Sequence, residues 1–220
     1  MLEIALNFFM SKKCYLCDKS IENNINNTMC RKCFSKLKGL EKDYYKIEKR
    51  ENVLVEYLFV LEYKDFIRKL ILSYKFFNKS YLGKVFGEII IKNKKICQKI
   101  KSYDIIIPIP MSKDGKKKRG YNQTEIISKF ISQNIGIEYN KNILLKSKNI
   151  KRQSLLDRKE RLNNVKNAYM VNNKFDEYLY DKKIIIFDDI YTTGATVNEC
   201  LNITMLKGVK EILVVILAKD

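Results

Sequence analysis

Hydrophobic positions along the chain keep one spacing up to about residue 103 and another beyond it. Residues 53–63, rich in Val, Leu, Tyr and Phe, predict a strand, and Phe66, Ile67, Leu70 and Ile71 then recur at helical spacing over residues 65–74. Leu82, Val85, Phe86, Ile89, Ile90, Ile96, Cys97 and Ile100 follow at i, i+3, i+4 and i+7, predicting one long helix with an apolar face for a sheet. Beyond residue 103, short apolar runs at 105–109, 142–145, 183–187 and 212–217 alternate with amphipathic stretches. Asn122 is placed to cap one of these helices, with Glu125 reaching back as its capping-box partner, and Gly136 to end it. A further helix over 195–207 closes at Gly208. Strands that alternate with helices predict an α/β fold, a central parallel sheet flanked by helices.

The rest of the chain sets the organisation. Residues 1–40 are Cys-rich, and residues 41–52 are charged and without periodicity, so the expected plan is a module over 1–40, a connector over 41–52 and the α/β domain over 53–220. Residues 1–10 are apolar, but Glu3 comes early and no basic region precedes it, which predicts an amphipathic helix on the Cys-rich module rather than an export signal. No apolar run approaches the roughly 20 residues of a membrane span, so no membrane insertion is expected.

Cys14-x2-Cys17 and Cys30-x2-Cys33 stand twelve residues apart, a spacing that lets two thiolate knuckles offer four tetrahedral ligands to Zn²⁺. A closed Cys₄ shell leaves no position for water, which predicts a structural metal. With no export signal, the expected compartment is the reducing cytoplasm, where such pairs bind metal rather than oxidise. Cys97 and Cys200 fall on apolar helix faces and are expected in the core.

The most informative stretch is Ile184-Ile185-Ile186-Phe187-Asp188-Asp189-Ile190-Tyr191-Thr192-Thr193-Gly194-Ala195-Thr196. An apolar strand runs into two acids and then through a small, hydroxyl-rich turn into a helix. Backbone N–H groups at such a turn suit a phosphate, with Thr192, Thr193 and Thr196 adding hydroxyls and Gly194 letting the backbone approach the anion. Asp188 and Asp189 suit a sugar diol, each accepting hydrogen bonds from hydroxyls. Two basic segments complete the picture. Residues 111–120 predict a flexible loop in which Arg119 is the best candidate for a second phosphate group, and residues 146–166 are long enough for a lid over a polyanion. The chain contains 43 Lys and Arg against 25 Asp and Glu, a net charge of +18. That excess suits nucleic acid, and it equally fits a genome-wide bias toward Lys, Ile and Asn codons.

Residues 184–196 resemble the phosphoribosyl-pyrophosphate (PRPP) signature of type I phosphoribosyltransferases. The resemblance implies that Thr192, Thr193, Gly194, Ala195 and Thr196 hold the 5-phosphate, that Asp188 and Asp189 hold the ribose hydroxyls at the catalytic centre, and that Mg²⁺ accompanies the pyrophosphate. Together with Arg119-Gly120-Tyr121-Asn122-Gln123, Gln153-Ser154, Glu160-Arg161, Asn164-Val165 and the tetracysteine module, the chain is similar to the ComF competence family. Tyr121 stands where Phe is commoner in that family. The likeness implies a PRPP-binding protein that assists uptake of single-stranded DNA, with a helicase-like competence ATPase and other transformation proteins as partners. Two other functions stay open: a Mg²⁺-dependent transferase of nucleotide metabolism, and a nucleic-acid binder whose PRPP site is vestigial. The chain has no His to act as a base.

Overall fold

The computed structural model describes residues 13–21, 28–147 and 168–220. Its centre is a six-stranded sheet built on two apolar runs. Strand β2 (Val53–Glu62) is buried from Val55 to Leu61, and β8 (Glu211–Lys219) is buried from Ile212 to Ala218. Strands buried on both faces read as continuous hydrophobic runs and belong inside a parallel sheet, and β2 and β8 pair in parallel with Val55 beside Ile212. On the other side of β8 lies β7 (Lys183–Tyr191), followed by β3 (Ile105–Pro108) and β4 (Glu138–Tyr139), all parallel. The order is β1-β2-β8-β7-β3-β4, and the α/β class with its mostly parallel sheet is as the hydrophobic pattern predicts.

Strand β1 (Glu41–Arg50) corrects one expectation. Residues 41–50, predicted to belong to a connector, form a ten-residue strand antiparallel to β2, with Ile47 beside Glu56. The composition misled because β1 is an edge strand: Ile47 is 64% exposed, and charged residues blunt the free edge. Arg50 is bonded to Asn198 at 2.8 Å and to the Tyr57 hydroxyl at 2.8 Å, so the strand is tied to the helix that follows β7. Hydrogen bonds from Lys46, Tyr57 and Arg50 outweigh the cost of burial and hold the Glu48 carboxyl down at about 2.

One face of the sheet carries α2 (Asp65–Phe76), α3 (Leu82–Lys92), α4 (Lys94–Lys101) and α6 (Gln123–Ile135), after α1 (Arg31–Lys38) of the cysteine module. The buried Cys14, Met29 and Leu37 of that module join one apolar cluster with Ile71, Phe86 and Ile89. The single long helix expected over 82–100 is two helices. Asn93 leaves the helical conformation and caps α4, its side chain accepting from the Ile96 N–H at 3.2 Å. Apolar spacing runs through the break, so periodicity alone does not show it. Helices α3 and α6 approach closely at Gly87, where a Cβ would stand 2.3 Å from the Phe130 ring. The opposite face is covered by α8 (Ala195–Met205), the short α7 (Asp176–Leu179) and a hairpin of β5 (Leu144–Lys146) with β6 (Tyr169–Val171).

The predicted helix over residues 1–10 lies outside the described residues, as does the predicted lid over 146–166 from residue 148 onward. Among the described residues no helix is long and apolar enough to cross a membrane.

Candidate functional site

From β3 the chain winds to β4 on one side of the sheet, and from β7 it winds to β8 on the other. The crevice above the carboxyl ends of β3 and β7 is therefore the point where the winding reverses, the place where open α/β sheets receive ligands. Asp188 and Asp189 lie there, near the end of β7, both partly exposed. The strand continues to Tyr191 before the chain turns through Thr192, Thr193 and Gly194 into α8.

The turn is built as an anion cradle. Gly194 is the N-cap of α8 at φ +74°, and a Cβ there would stand 2.3 Å from the Tyr191 hydroxyl. Only glycine takes that conformation without strain and keeps the approach open. The cradle is lined by Asp188 and residues 190–197, with Thr192 and Thr193 exposed at its rim. The first N–H groups of the eleven-residue α8 lack intrahelical partners, and the helix presents its positive end at this point. Asn198 N–H bonds the Gly194 carbonyl at 2.8 Å, which fixes the first turn, and the link from Arg50 to Asn198 holds that turn against β1.

The acidic pair is short of positive charge. Burial, and then the neighbouring Asp189 carboxylate, push Asp188 from its ordinary 3.8 up to about 7; the Asp189 N–H and two lysines oppose the shift. One of those lysines is Lys75, near the end of α2. Its Nζ stands 2.8 Å from Asp189 Oδ2, and both side chains are only 14% exposed. The other is Lys146, the last residue of β5, bonded to the Tyr169 hydroxyl at 2.9 Å and lowered by its own burial. Glu199 fixes the start of β6 by accepting from Ala168 N–H at 2.6 Å and Tyr169 N–H at 3.1 Å.

Lys75 is the residue that sequence reasoning missed. It stands four residues after the buried Ile71, at a position the apolar spacing assigns to packing, and only the folded chain brings it to the acids. Lys146 was included only as one basic residue of a lid.

The segment expected as a flexible basic loop is largely a helix, α5 (Lys113–Arg119). Ser112 caps it by accepting from Gly115 N–H at 3.1 Å, and Gly120 ends it at φ +79°, so local capping and not tertiary burial orders the segment. The Arg119 guanidinium lies 5.0 Å over the Phe76 ring, and Nη1 reaches Gln123 Oε1 at 3.4 Å. Arg119 is not part of the threonine cradle. It shares a second cleft, of about 310 Å³, with Lys75, Phe76, Asn78, Lys118 and Gly120. Lys75 lines this second cleft and reaches from it to Asp189.

The motif around Arg119 also positions the site. Asn122 Nδ2 and Thr124 Oγ1 both donate to the Ile109 carbonyl, at 3.2 and 2.8 Å, pinning the segment after β3 to the start of α6. Glu125 Oε1 accepts from the Asn122 side chain at 3.4 Å, so the expected reciprocal capping runs through side chains. The Tyr121 hydroxyl donates to the Tyr74 carbonyl, tying the same motif to the turn that carries Lys75.

Cys14, Cys17, Cys30 and Cys33 converge. Their sulfur atoms all lie within 4.8 Å of one another, a cluster that can hold a metal ion. Backbone hydrogen bonds involving Cys30, Leu16 and Cys17 outweigh burial and bring Cys14 down to about 7, whereas burial and the three neighbouring thiols push Cys33 up. Four thiols this close shed their protons together only beside a cation. Cys200 is buried as expected, and Cys97 is half-buried.

Comparison with known proteins bears out the resemblance read from the motifs. The chain is 27% identical over 223 residues to Competence protein F of Haemophilus influenzae, an alignment covering 94% of this chain and 96% of that one. It is 28% identical over 199 residues to Competence protein ComFC of Streptococcus pneumoniae, covering 90% and 84% respectively. Among solved structures, a glutamine PRPP amidotransferase from B. subtilis matches with a TM-score of 0.45 at 15% identity, over 66% of this chain and 30% of that one. No family model matches the chain.

Proposed function

We propose that this chain, similar over nearly all its length to proteins named for competence, is a PRPP-binding protein of the DNA-uptake apparatus. The observation that carries the PRPP reading is the continuity of β7, the acidic pair and the Gly194 cradle at the reversal point of the sheet. In this reading Thr192, Thr193, Gly194, Ala195 and Thr196 take the 5-phosphate through backbone N–H and hydroxyl groups. Asp188 and Asp189 accept hydrogen bonds from the ribose 2- and 3-hydroxyls. Arg119 takes charge on the pyrophosphate.

The acidic pair also fits Mg²⁺. Two adjacent carboxylates, one of them holding its proton to about pH 7, are the oxygen-rich and charge-poor setting that a hard divalent cation satisfies. When bound, Mg²⁺ would supply charge neutralisation at the pyrophosphate. The cysteine cluster fits Zn²⁺ in a structural role: a tetrahedral Zn–S shell with bonds of about 2.3 Å has sulfur–sulfur edges of about 3.8 Å, and Cys17 and Cys30 already stand 3.8 Å apart.

Single-stranded DNA is the polyanion we assign to the basic surface. Lys113, Lys116, Lys117 and Lys118 are exposed on α5, next to the PRPP site, and the exposed Phe76 shares a cleft with Lys118 as a stacking surface. A competence ATPase and other transformation proteins are the partners this role requires, and the cytoplasm is its place.

Two measurements test the proposal. Calorimetric titration with PRPP and Mg²⁺ is expected to show binding that Gly194→Ala weakens about ten- to hundredfold, since the strain of a non-glycine at this φ is about 1–3 kcal/mol; equal affinity in the variant refutes the cradle. Single-stranded DNA affinity is expected to fall steeply with rising salt, because lysine contacts release counterions. A salt-independent affinity removes the role assigned to α5.

A further inference from the structure

We infer that Lys75 is a positioning residue that serves two anions in turn, pairing with Asp189 in the free protein and with the pyrophosphate end of the ligand in the complex. The inference rests on the PRPP reading above and adds a residue to it. Three observations support it. The ammonium stands 2.8 Å from Asp189 Oδ2 in a setting where both side chains are 14% exposed, so the pair is a defined contact and not a mobile surface one. The same side chain lines the cleft of about 310 Å³ that also holds Lys118 and Arg119, with no acid among the described residues that line it. Its neighbours are anchored, since the Tyr74 hydroxyl donates to the Gln123 carbonyl at 2.9 Å and the Tyr121 hydroxyl donates to the Tyr74 carbonyl.

Charge balance explains why a lysine suits this place. Without a ligand, two carboxylates lie side by side in sequence, and the Lys75 ammonium stands 2.8 Å from one of them. A ribose diol that binds the acids and a polyphosphate that enters the basic cleft compete for the two ends of that ion pair. The ammonium sits on a flexible four-carbon stem with three donors, and it can turn from carboxylate to phosphate without any backbone movement. The ion pair thus keeps the acids organised before binding and frees Asp189 for the ribose only when a second anion draws the lysine away. Ligands bearing both a ribose and a pyrophosphate are selected over ribose 5-phosphate by this exchange.

The experiment is titration of the full chain, with Mg²⁺ present, by two separate probes: inorganic pyrophosphate and ribose 5-phosphate. In Lys75→Met the ratio of pyrophosphate to ribose 5-phosphate affinity is expected to fall about tenfold or more, the worth of a lost charge-assisted hydrogen bond. Lys75→Arg is expected to restore most of that ratio. Asp189→Asn is expected to shift the ratio the other way, since the lysine is then free for phosphate while the diol loses an acceptor. An unchanged ratio in Lys75→Met, or a parallel loss of both ligands that Lys75→Arg does not restore, overturns the dual role. If the unaltered protein binds neither probe, the PRPP reading fails, and the role of Lys75 with it.

Discussion

The molecule contains two clusters of groups that resist ionising together, and it treats them in opposite ways. At the N-terminal end four thiols lie within 4.8 Å of one another, and the groups that shift them are backbone amides and the thiols themselves. At the end of β7 two carboxylates lie side by side, and a lysine from α2 stands 2.8 Å from one of them, with a second from β5 acting on the other. A cluster supplied with part of its countercharge by the fold is held in place before anything binds. A cluster without such countercharge is completed by an ion from outside. The first arrangement suits a site where ligands come and go, and the second suits a permanent staple in a segment too small to build a core of its own.

The largest effect that would break this contrast is metal removal. Structural zinc in small modules contributes on the order of 10 kcal/mol of binding free energy that is also folding free energy. A strong chelator, or Cys30→Ser, is expected to unfold the cysteine module and to lower the melting temperature of the whole chain, because Cys14, Met29 and Leu37 share an apolar cluster with α2 and α3. Circular-dichroism melts with and without chelator check it. An unchanged melt would mean that the thiols are not stapled by metal.

A smaller effect sharpens the other side. Asp188 has a folded-state pKa of about 7 against an ordinary 3.8, so between those values the unfolded chain releases a proton that the folded chain retains. The contribution of this group to stability therefore falls as pH rises from about 4 to about 7, and it is constant above. Asp188→Asn is expected to gain stability relative to the unaltered protein through that window, with the difference levelling off beyond it. Denaturant melts at a series of pH values measure the difference, and a flat one would mean that Lys75 and Lys146 already supply all the charge the pair needs.

Much of this was legible in the sequence, for physical reasons that differ by element. The run from Ile184 to Thr196 combines a two-face-buried strand, paired acids and a glycine turn in fixed order, and each of those depends on local chemistry. The cysteine spacing is local in the same sense. Strand β1 was hidden because its order comes from pairing with β2, while its own residues are charged and its edge is open. The break at Asn93 was hidden by apolar spacing that continues through a cap. Helix α5 was hidden because lysines in sequence resemble a solvated loop, although Ser112 and Gly120 are its two caps. Lys75 could not be singled out at all: one lysine among many becomes part of the site only when the folded chain brings it to Asp189.

Calorimetric titration with PRPP and Mg²⁺, comparing the unaltered protein with the Asp188→Ala, Asp189→Ala double variant, decides whether the acidic pair grips the ligand. Saturable binding is expected in the unaltered protein, and the double variant is expected to lose it while keeping its fold by circular dichroism. Equal affinity in the two proteins would contradict that role.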